Sequence, residues 1–398
     1  MKYWLSLLAA IAISSFAQSP APAPAAFTAP VPPEIEARAY LLLDVTANQV
    51  LAAKGADQPV EPASLTKLMT AYLAFDALKT KKLSLDQRLP VSVRAWKMEG
   101  SSMFIDPKMS VRVEDLLKGL IVQSGNDAAV AIAEGVGGSV ERFVDLMNDR
   151  AKLLGMKNTS YKNPEGLTVA GHTTTAQDLA ILATRLMNDF PEYINYYAIQ
   201  KFRLEGSPKS NDTNRNKLLF RDSTKTGFVV DGLKTGHTDA AGYCFVVTSK
   251  RTDARVGERR LLAILLGTQS ETARANEGEK LLVWGYNAFE AIKLFDAGSV
   301  IATPRIWKGS SSEVKLGLSS GKPLVVSVPA GTAPAQVTSQ IARPDPLVAP
   351  FAAGQNVASL KVLINNQAWQ SIPLQATQDV ALAGWFGRTL DSARMIFK

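Results

Sequence analysis

Cysteine is nearly absent. Cys244 stands alone among 398 residues, so no intramolecular disulfide can form. It lies in the apolar run Tyr243-Cys244-Phe245-Val246-Val247, which suits a buried structural thiol better than a reactive one. Histidine is equally scarce. His172 and His237 are too few for a histidine-rich metal site, and no metal or cofactor is expected. The net charge of +8 suits an anionic lipid or an acidic polymer. There is no dense Lys/Arg run and no nucleic-acid motif, which argues against nucleic acid. Long apolar runs are missing as well. Leu5 to Ile13 is too short to span a bilayer comfortably. With Lys2 before it and Ser15-Phe16-Ala17 after it, it reads as an export signal cleaved after Ala17.

What is present fits a globular chain of two or three domains, 46% hydrophobic and 20% charged. After the signal at 1–17, residues 18–34 form a Pro/Ala-rich leader. Ala37 to Asp44 reads as a strand and Gln49 to Ala52 as its hairpin partner. Past Pro62, Leu65, Leu68, Met69 and Tyr72 predict a helix over Ser64–Leu78. Val113 to Val136 reads as two helical segments broken at Ser124-Gly125-Asn126, with Asn126 or Asp127 capping the second. Helices are expected over Val140–Leu154, ended by Gly155, and over Thr175–Met187, started by Thr174 or Thr175. From Phe228 the period turns to strand: Phe228–Gly232, Tyr243–Ser249 and Leu261–Leu266, followed by a long helix Thr272–Leu294. Residues 35–296 therefore read as one α/β (α+β) domain.

Residues 297–380 lack helical periodicity and hold short β-type runs such as Leu324–Val328 and Leu360–Ile364, a second, small all-β domain. Residues 381–398 carry an amphipathic helix. On a helical wheel Trp385, Phe386, Thr389, Leu390, Ala393, Ile396 and Phe397 share one arc. Arg388, Asp391, Ser392, Arg394 and Lys398 share the other, and only Met395 falls on the wrong side. Such a helix reads as one lying in a membrane interface, through residues 385–398.

Three short motifs carry chemistry. Ser64-Leu65-Thr66-Lys67 offers a hydroxyl nucleophile with an amine one helical turn on. Ser124-Gly125-Asn126 offers a second hydroxyl and an amide. Lys234-Thr235-Gly236 offers a cation and a hydroxyl that can hold a carboxylate. Each alone is weak, because the chain carries decoys. Ser312-Glu313-Val314-Lys315 repeats the first pattern without a helix, and Lys225-Thr226-Gly227 repeats the third in what reads as a loop. Gly317-Leu318-Ser319-Ser320-Gly321 matches a nucleophile elbow but looks like a hairpin tip. A Ser-His-Asp triad is the competing chemistry. His237 alone is placed for it, since His172, in the loop Ala170-Gly171-His172-Thr173, reads as a surface residue.

The ordered set S-x-x-K, S-x-N, K-T-G resembles that of the penicillin-recognising serine enzymes. Gly100-Ser101-Ser102-Met103-Phe104, Gln123 to Ala128, Asn214-Arg215-Asn216 and Val230 to Thr238 narrow the resemblance. They point to the D-alanyl-D-alanine carboxypeptidases, low-molecular-mass penicillin-binding proteins. The resemblance implies a serine transpeptidase/β-lactamase-like fold and a bacterial periplasmic enzyme, peripherally attached to the inner membrane. It implies removal of the terminal D-Ala from peptidoglycan stem pentapeptides, with β-lactams as covalent inhibitors. Ser64 would be acylated, Lys67 would take its proton after burial and Lys234 lower its pKa, and Ser124 would pass a proton to the leaving D-Ala. Asn126 would hold the substrate amide. Lys234, Thr235, Gly236 and His237 would line the carboxylate site, with Arg215 and Arg274 as further contacts. The backbone N–H groups of Ser64 and His237 would form the oxyanion hole.

The resemblance leaves a D-alanyl-D-alanine endopeptidase and a class A-like β-lactamase as alternatives. The second expects a deacylating glutamate in an E-P-x-L-N segment, and Asn163-Pro164-Glu165-Gly166-Leu167 departs from that order. A non-enzymatic penicillin-sensing or peptidoglycan-binding protein is disfavoured because every nucleophile and proton-transfer residue is present.

Overall fold

The computed structural model describes residues 29–318 and 321–396. The export signal, most of the leader, Ser319-Ser320 of the decoy elbow, and Phe397 and Lys398 lie outside the described residues.

The hairpin β1 (Ala39–Asp44) and β2 (Gln49–Lys54) opens the chain. A 3-10 turn, Ala63–Thr66, runs straight into α1 (Lys67–Lys79), so Ser64 lies just ahead of the helix proper. The short pieces β3 (Arg88–Pro90), α2 (Val93–Trp96), β4 (Ser110–Arg112) and α3 (Val113–Lys118) follow. A π turn, Gly119–Gln123, then leads to α4 (Asn126–Gly137). The segment 113–136 thus has three parts rather than two. Neither Asn126 nor Asp127 caps α4, because Gly125 holds the cap position without a side-chain bond. Helix α5 (Val140–Leu154) starts on the Ser139 hydroxyl and ends on Gly155 at φ +83°, where a left-handed residue closes the last turn. The Thr175 hydroxyl caps α6 (Ala176–Asp189). The region expected as a loop around Lys225 makes one exposed helical turn, α7 (Ser223–Thr226).

Strands β5 (Val229–Thr238), β6 (Gly242–Asp253) and β7 (Gly257–Thr268) complete an antiparallel five-stranded sheet in the order β2-β1-β7-β6-β5. Alternation sorts its side chains. Leu41 and Leu43 of β1 join the helical core built on α1, α4, α5 and α6, while Tyr40 and Leu42 face α8 (Glu271–Ala288) on the other side. α1 is buried nearly all round and forms the axis of the helical layer.

The helix predicted to reach Leu294 ends at Ala288. Phe289–Phe295 is strand β8, paired antiparallel with β10 (Leu324–Pro329). Short apolar runs fit either period, and here a distant partner decides. With β9 (Leu316–Gly317), β11 (Val337–Ala342), β12 (Asn356–Ile364) and β13 (Gln367–Ala376), these strands form a small all-β region around Ile306, Val314, Leu316, Val326, Leu360 and Val362. It joins the main sheet through a buried polar knot. Asp44 accepts from Arg259 Nε at 2.8 Å and from Ser327 Oγ at 2.7 Å. Helix α9 (Trp385–Ile396) ends the described chain. No helix among the described residues is long and apolar enough to cross a membrane.

His172 is not a surface residue. It is buried, edge-on to Tyr161, with Nε2 2.9 Å from the Thr66 hydroxyl. The Lys162 N–H points to Nδ1, so Nε2 carries the hydrogen that Thr66 receives. Burial, with Lys162 nearby, lowers this imidazole to about 4 and keeps it neutral.

Candidate active site

Three structural pieces meet at one point: the turn before α1, the turn before α4, and edge strand β5. The Lys67 amine lies 3.1 Å from Ser64 Oγ, 2.7 Å from Asn126 Oδ1 and 2.6 Å from the Glu165 carbonyl. The Lys234 amine lies 3.0 Å from Ser124 Oγ and donates to the Thr235 carbonyl at 2.8 Å. The first and third motifs, 167 residues apart by the difference 234 − 67, are thereby drawn to one cluster. Their decoys stay out of it: Ser312 and Lys225 are exposed.

The backbone around Ser64 and Ser124 is held in conformations that side chains rarely adopt. Ala63, immediately before Ser64, has φ +48°, and Ser124 has φ +57° at the end of the π turn. Such residues cost about 1–3 kcal/mol each and persist where the surroundings over-determine them. Two glycines allow the close approach. A Cβ on Gly166 would fall 1.9 Å from the Ala63 carbonyl oxygen. One on Gly236 would fall 3.2 Å from both Ala63 Cβ and the Ser64 nitrogen. The loop carrying Gly166 is tied down by the Asn163 side chain, which accepts from Gly166 N–H at 2.7 Å and donates to the Leu167 carbonyl at 2.9 Å. Thr70 Oγ1 adds a bond to the Pro164 carbonyl at 2.6 Å.

Asp127 serves the opposite wall. Its carboxylate accepts from Met103 N–H at 3.0 and 3.1 Å and from Ser102 Oγ at 2.6 Å, pinning the Gly100–Phe104 segment. Asn126 is engaged at both ends, with Nδ2 donating to the Glu99 carbonyl at 2.6 Å. Its oxygen accepts from Lys67. Thr235 is buried beside Lys234, and Gly236 faces the Ser64 turn. His237 is exposed and stacks on Tyr243 with centroids 4.0 Å apart. Arg215 is exposed and reaches Asn211 Oδ1 at 3.0 Å. Arg274 is buried. It donates to the Gly236 carbonyl at 3.3 Å and the Arg215 carbonyl at 3.4 Å, so it ties the backbone of the third motif to the Asn214–Asn216 segment.

Burial sets the charges. It brings the Lys67 ammonium down to about 7, opposed by the Glu165 carboxyl and helped by Arg215. It lowers Lys234 well below the ordinary lysine value, with Lys67, Arg215 and Arg274 adding repulsion. Lys67 and Lys234 therefore repel each other, as the sequence led one to expect, and the Arg215 guanidinium acts on both. The Glu165 carboxyl is raised, again by burial first. Sequence reasoning missed the Glu165 and Glu99 carbonyls, since backbone acceptors leave no residue signature. The Asn-Pro-Glu-Gly turn was the available clue.

A family model described as D-alanyl-D-alanine carboxypeptidase matches residues 26–269, and one for the C-terminal domain of penicillin-binding protein 5 matches residues 289–382. The D-alanyl-D-alanine carboxypeptidase DacC of Escherichia coli (strain K12) is 38% identical over 371 residues, spanning 92% of this chain and 89% of that protein. The chain belongs to the D-alanyl-D-alanine carboxypeptidase family. Solved structures of similar proteins extend over both regions of the chain. Penicillin binding protein 5 from Haemophilus influenzae superimposes with a TM-score of 0.77 at 35% identity, covering 88% of this chain and 99% of its own. Penicillin-binding protein D2 from Listeria monocytogenes, in an ampicillin-bound form, gives 0.56 at 30% identity and covers 65% of this chain and all of its own. The carboxypeptidase fold, with its small β-domain, is thus the fold of this chain.

Proposed function

We propose that this enzyme is a serine-type D-Ala-D-Ala carboxypeptidase that trims the terminal D-Ala from peptidoglycan stem pentapeptides through an acyl-enzyme on Ser64. One observation carries the mechanism: the set of partners around Lys67 Nζ. Two of them, the Asn126 amide oxygen and the Glu165 carbonyl, can only accept hydrogen bonds. A neutral amine has two hydrogens and one lone pair. Both hydrogens go to those oxygens, and the lone pair is left facing the Ser64 hydroxyl. Lys67 is then a base aimed at its nucleophile.

Charge supports the same assignment. Lys67, Lys234 and Arg215 repel one another in a site where both lysines are buried. A substrate carboxylate beside Lys234 and Thr235 supplies the missing anion and holds the Lys234 proton in place. Lys67 stays neutral. It takes the Ser64 proton as Oγ attacks the carbonyl carbon of the penultimate D-Ala, and the carbonyl oxygen becomes an oxyanion held by the backbone N–H groups of Ser64 and His237. Collapse breaks the C–N bond. The leaving nitrogen takes a proton from the Ser124 hydroxyl, which the Lys67 ammonium restores. Water then cleaves the ester, returning Ser64 and releasing the shortened peptide. β-Lactams acylate Ser64 by the same opening steps and leave slowly. Arg215 and His237 contribute to the carboxylate side of the cleft.

Release of D-Ala from diacetyl-Lys-D-Ala-D-Ala tests this. Wild type is active and Ser64→Ala is not; equal inactivity would leave a penicillin-sensing or peptidoglycan-binding protein. Faster cleavage of cross-linked dimers than of pentapeptide would favour an endopeptidase, and rapid benzylpenicillin hydrolysis a β-lactamase.

Export by the first 17 residues and attachment to the periplasmic side of the inner membrane complete the reading. Its support is α9, with Trp385 and Phe386 exposed and Arg388 and Arg394 in the same helix. Removing residues 385–398 is expected to release the protein from membranes; unchanged partition would reject attachment through this helix.

A further inference from the structure

Helix α9 meets the β-domain through its polar side. With Trp385 at 0°, Asp391 falls near about 240° and Met395 near about 280°, opposite an apolar arc from 0° to about 140°. The Asp391 carboxylate accepts the Lys308 backbone N–H at 2.7 Å. Ala383 N–H donates to the Lys308 carbonyl at 2.8 Å, so Lys308 is gripped on both its backbone groups. Met395 shares a cavity of about 250 Å³ with Trp307, Asp345 and Pro346. The residue that looked misplaced on the wheel therefore faces the β-domain, across that cavity. On the far side Trp385, Phe386 and Ile396 are 74%, 75% and 80% exposed. Arg388 and Arg394 fall near about 300° and 180°, just beyond the two edges of that arc, where lipid headgroups would lie.

A free helix of this length is marginal in water. A docked one is formed before any bilayer arrives, and binding then carries no folding cost. The β-domain is itself fixed to the catalytic sheet. Gln49 Nε2 and Trp369 Nε1 both donate to the Ser327 carbonyl, at 3.1 and 2.8 Å, beside the buried Asp44–Arg259 pair.

We propose that Asp391 is a latch that docks α9 on the β-domain by its polar side, so that a preformed helix offers its Trp385–Phe386–Ile396 side to an anionic lipid surface in one orientation. The lipid half rests on the membrane reading above; the latch half does not.

The test uses the full chain carrying Asp391→Ala or Asp391→Asn. Asparagine keeps an acceptor oxygen and removes the charge, which separates the hydrogen bond from the repulsion between the carboxylate and an anionic lipid. Hydrogen exchange in solution reads the latch. Wild type and Asp391→Asn should protect the amides of 389–396, and Asp391→Ala should exchange roughly tenfold faster or more. Flotation with vesicles of phosphatidylethanolamine and phosphatidylglycerol reads the surface, and Asp391→Ala should bind several-fold more weakly. Energy transfer from a dye on Lys209→Cys, an exposed position on the catalytic domain, to a lipid acceptor should give one narrow distance in wild type and a broad one in Asp391→Ala. Unchanged exchange in Asp391→Ala overturns the latch. Protected amides with no vesicle binding by wild type overturn the lipid surface and leave the catalytic reading intact.

Discussion

The catalytic domain and the β-domain bury different things. The catalytic domain hides Lys67, Ser124, Asn126, Asp127, Glu165, Lys234 and Arg274 close to one another, and bends Ala63, Phe104 and Ser124 into left-handed backbone. Among the described residues of the β-domain from 297 on, the buried polar side chains are Ser327 and Thr332, and its core is aliphatic and aromatic. Its left-handed non-glycine residues, such as Asn365 and Asn366, sit in turns that tolerate them. Buried charge and strained backbone both oppose folding. In the mechanism proposed above, one region keeps them because a buried amine is a base and a strained serine is held in place. The other follows ordinary packing rules and hides almost no polar side chain.

The sharpest way to break this comparison uses the repeated motif. Ser64→Ala should cut D-Ala release by on the order of 10⁴-fold or more, since removing a nucleophile disables the whole catalytic unit. Its free energy of unfolding should stay within about 0.5 kcal/mol of wild type. Ser312→Ala, in the matching S-x-x-K of the β-domain, should change neither quantity. A comparable loss of D-Ala release from Ser312→Ala would end the assignment of chemistry to one region.

The two regions also differed in how far the sequence could be read. Helices α5 and α6 were legible to within a residue or two because their signals are local: Gly155 past one end and Thr175 at one start. The three motifs were legible because their order and local settings rejected the decoys. Strand β8 was not, because Phe289–Phe295 becomes a strand only by pairing with β10, some thirty residues on. His172 looked like a loop residue because its partners, Thr66 and Tyr161, come from other elements. The acceptors that receive the Lys67 hydrogens include a backbone carbonyl, which any residue could have supplied. Met395 was an anomaly on the wheel until Trp307 and Pro346 stood beside it.

The junction between the regions offers a smaller but clear effect, this time on stability. Asp44 and Arg259 are fully buried 2.8 Å apart, and Asp44 also accepts from Ser327 of β10. Asp44→Asn keeps the shape and leaves the guanidinium without its counter-charge. Removing one partner of a buried pair costs about 3–5 kcal/mol. The urea midpoint should fall accordingly, while D-Ala release per folded molecule stays within about twofold. An unchanged midpoint would mean that the two regions are not energetically joined there.

The smallest effect is a shift in pH dependence, and it discriminates most finely between the regions. Lys67 is held near 7 chiefly by burial, and in the proposed mechanism its neutral form is the base. Acylation should therefore rise with pH up to about 7 and level off above it. Below 7 the loss is about tenfold per unit, or about 1.4 kcal/mol. The neighbours act with opposite signs. The Glu165 carboxyl favours the protonated amine, so Glu165→Gln should move the acid limb to lower pH. Arg215 disfavours it, so Arg215→Gln should move the limb to higher pH. Lys361→Gln, an exposed change in the β-domain, should leave the limb in place. Profiles of kcat/KM for β-lactam acylation give all three shifts directly. If Glu165→Gln and Arg215→Gln move the limb the same way, Lys67 is not the group being titrated, and the base must be sought elsewhere in the cluster.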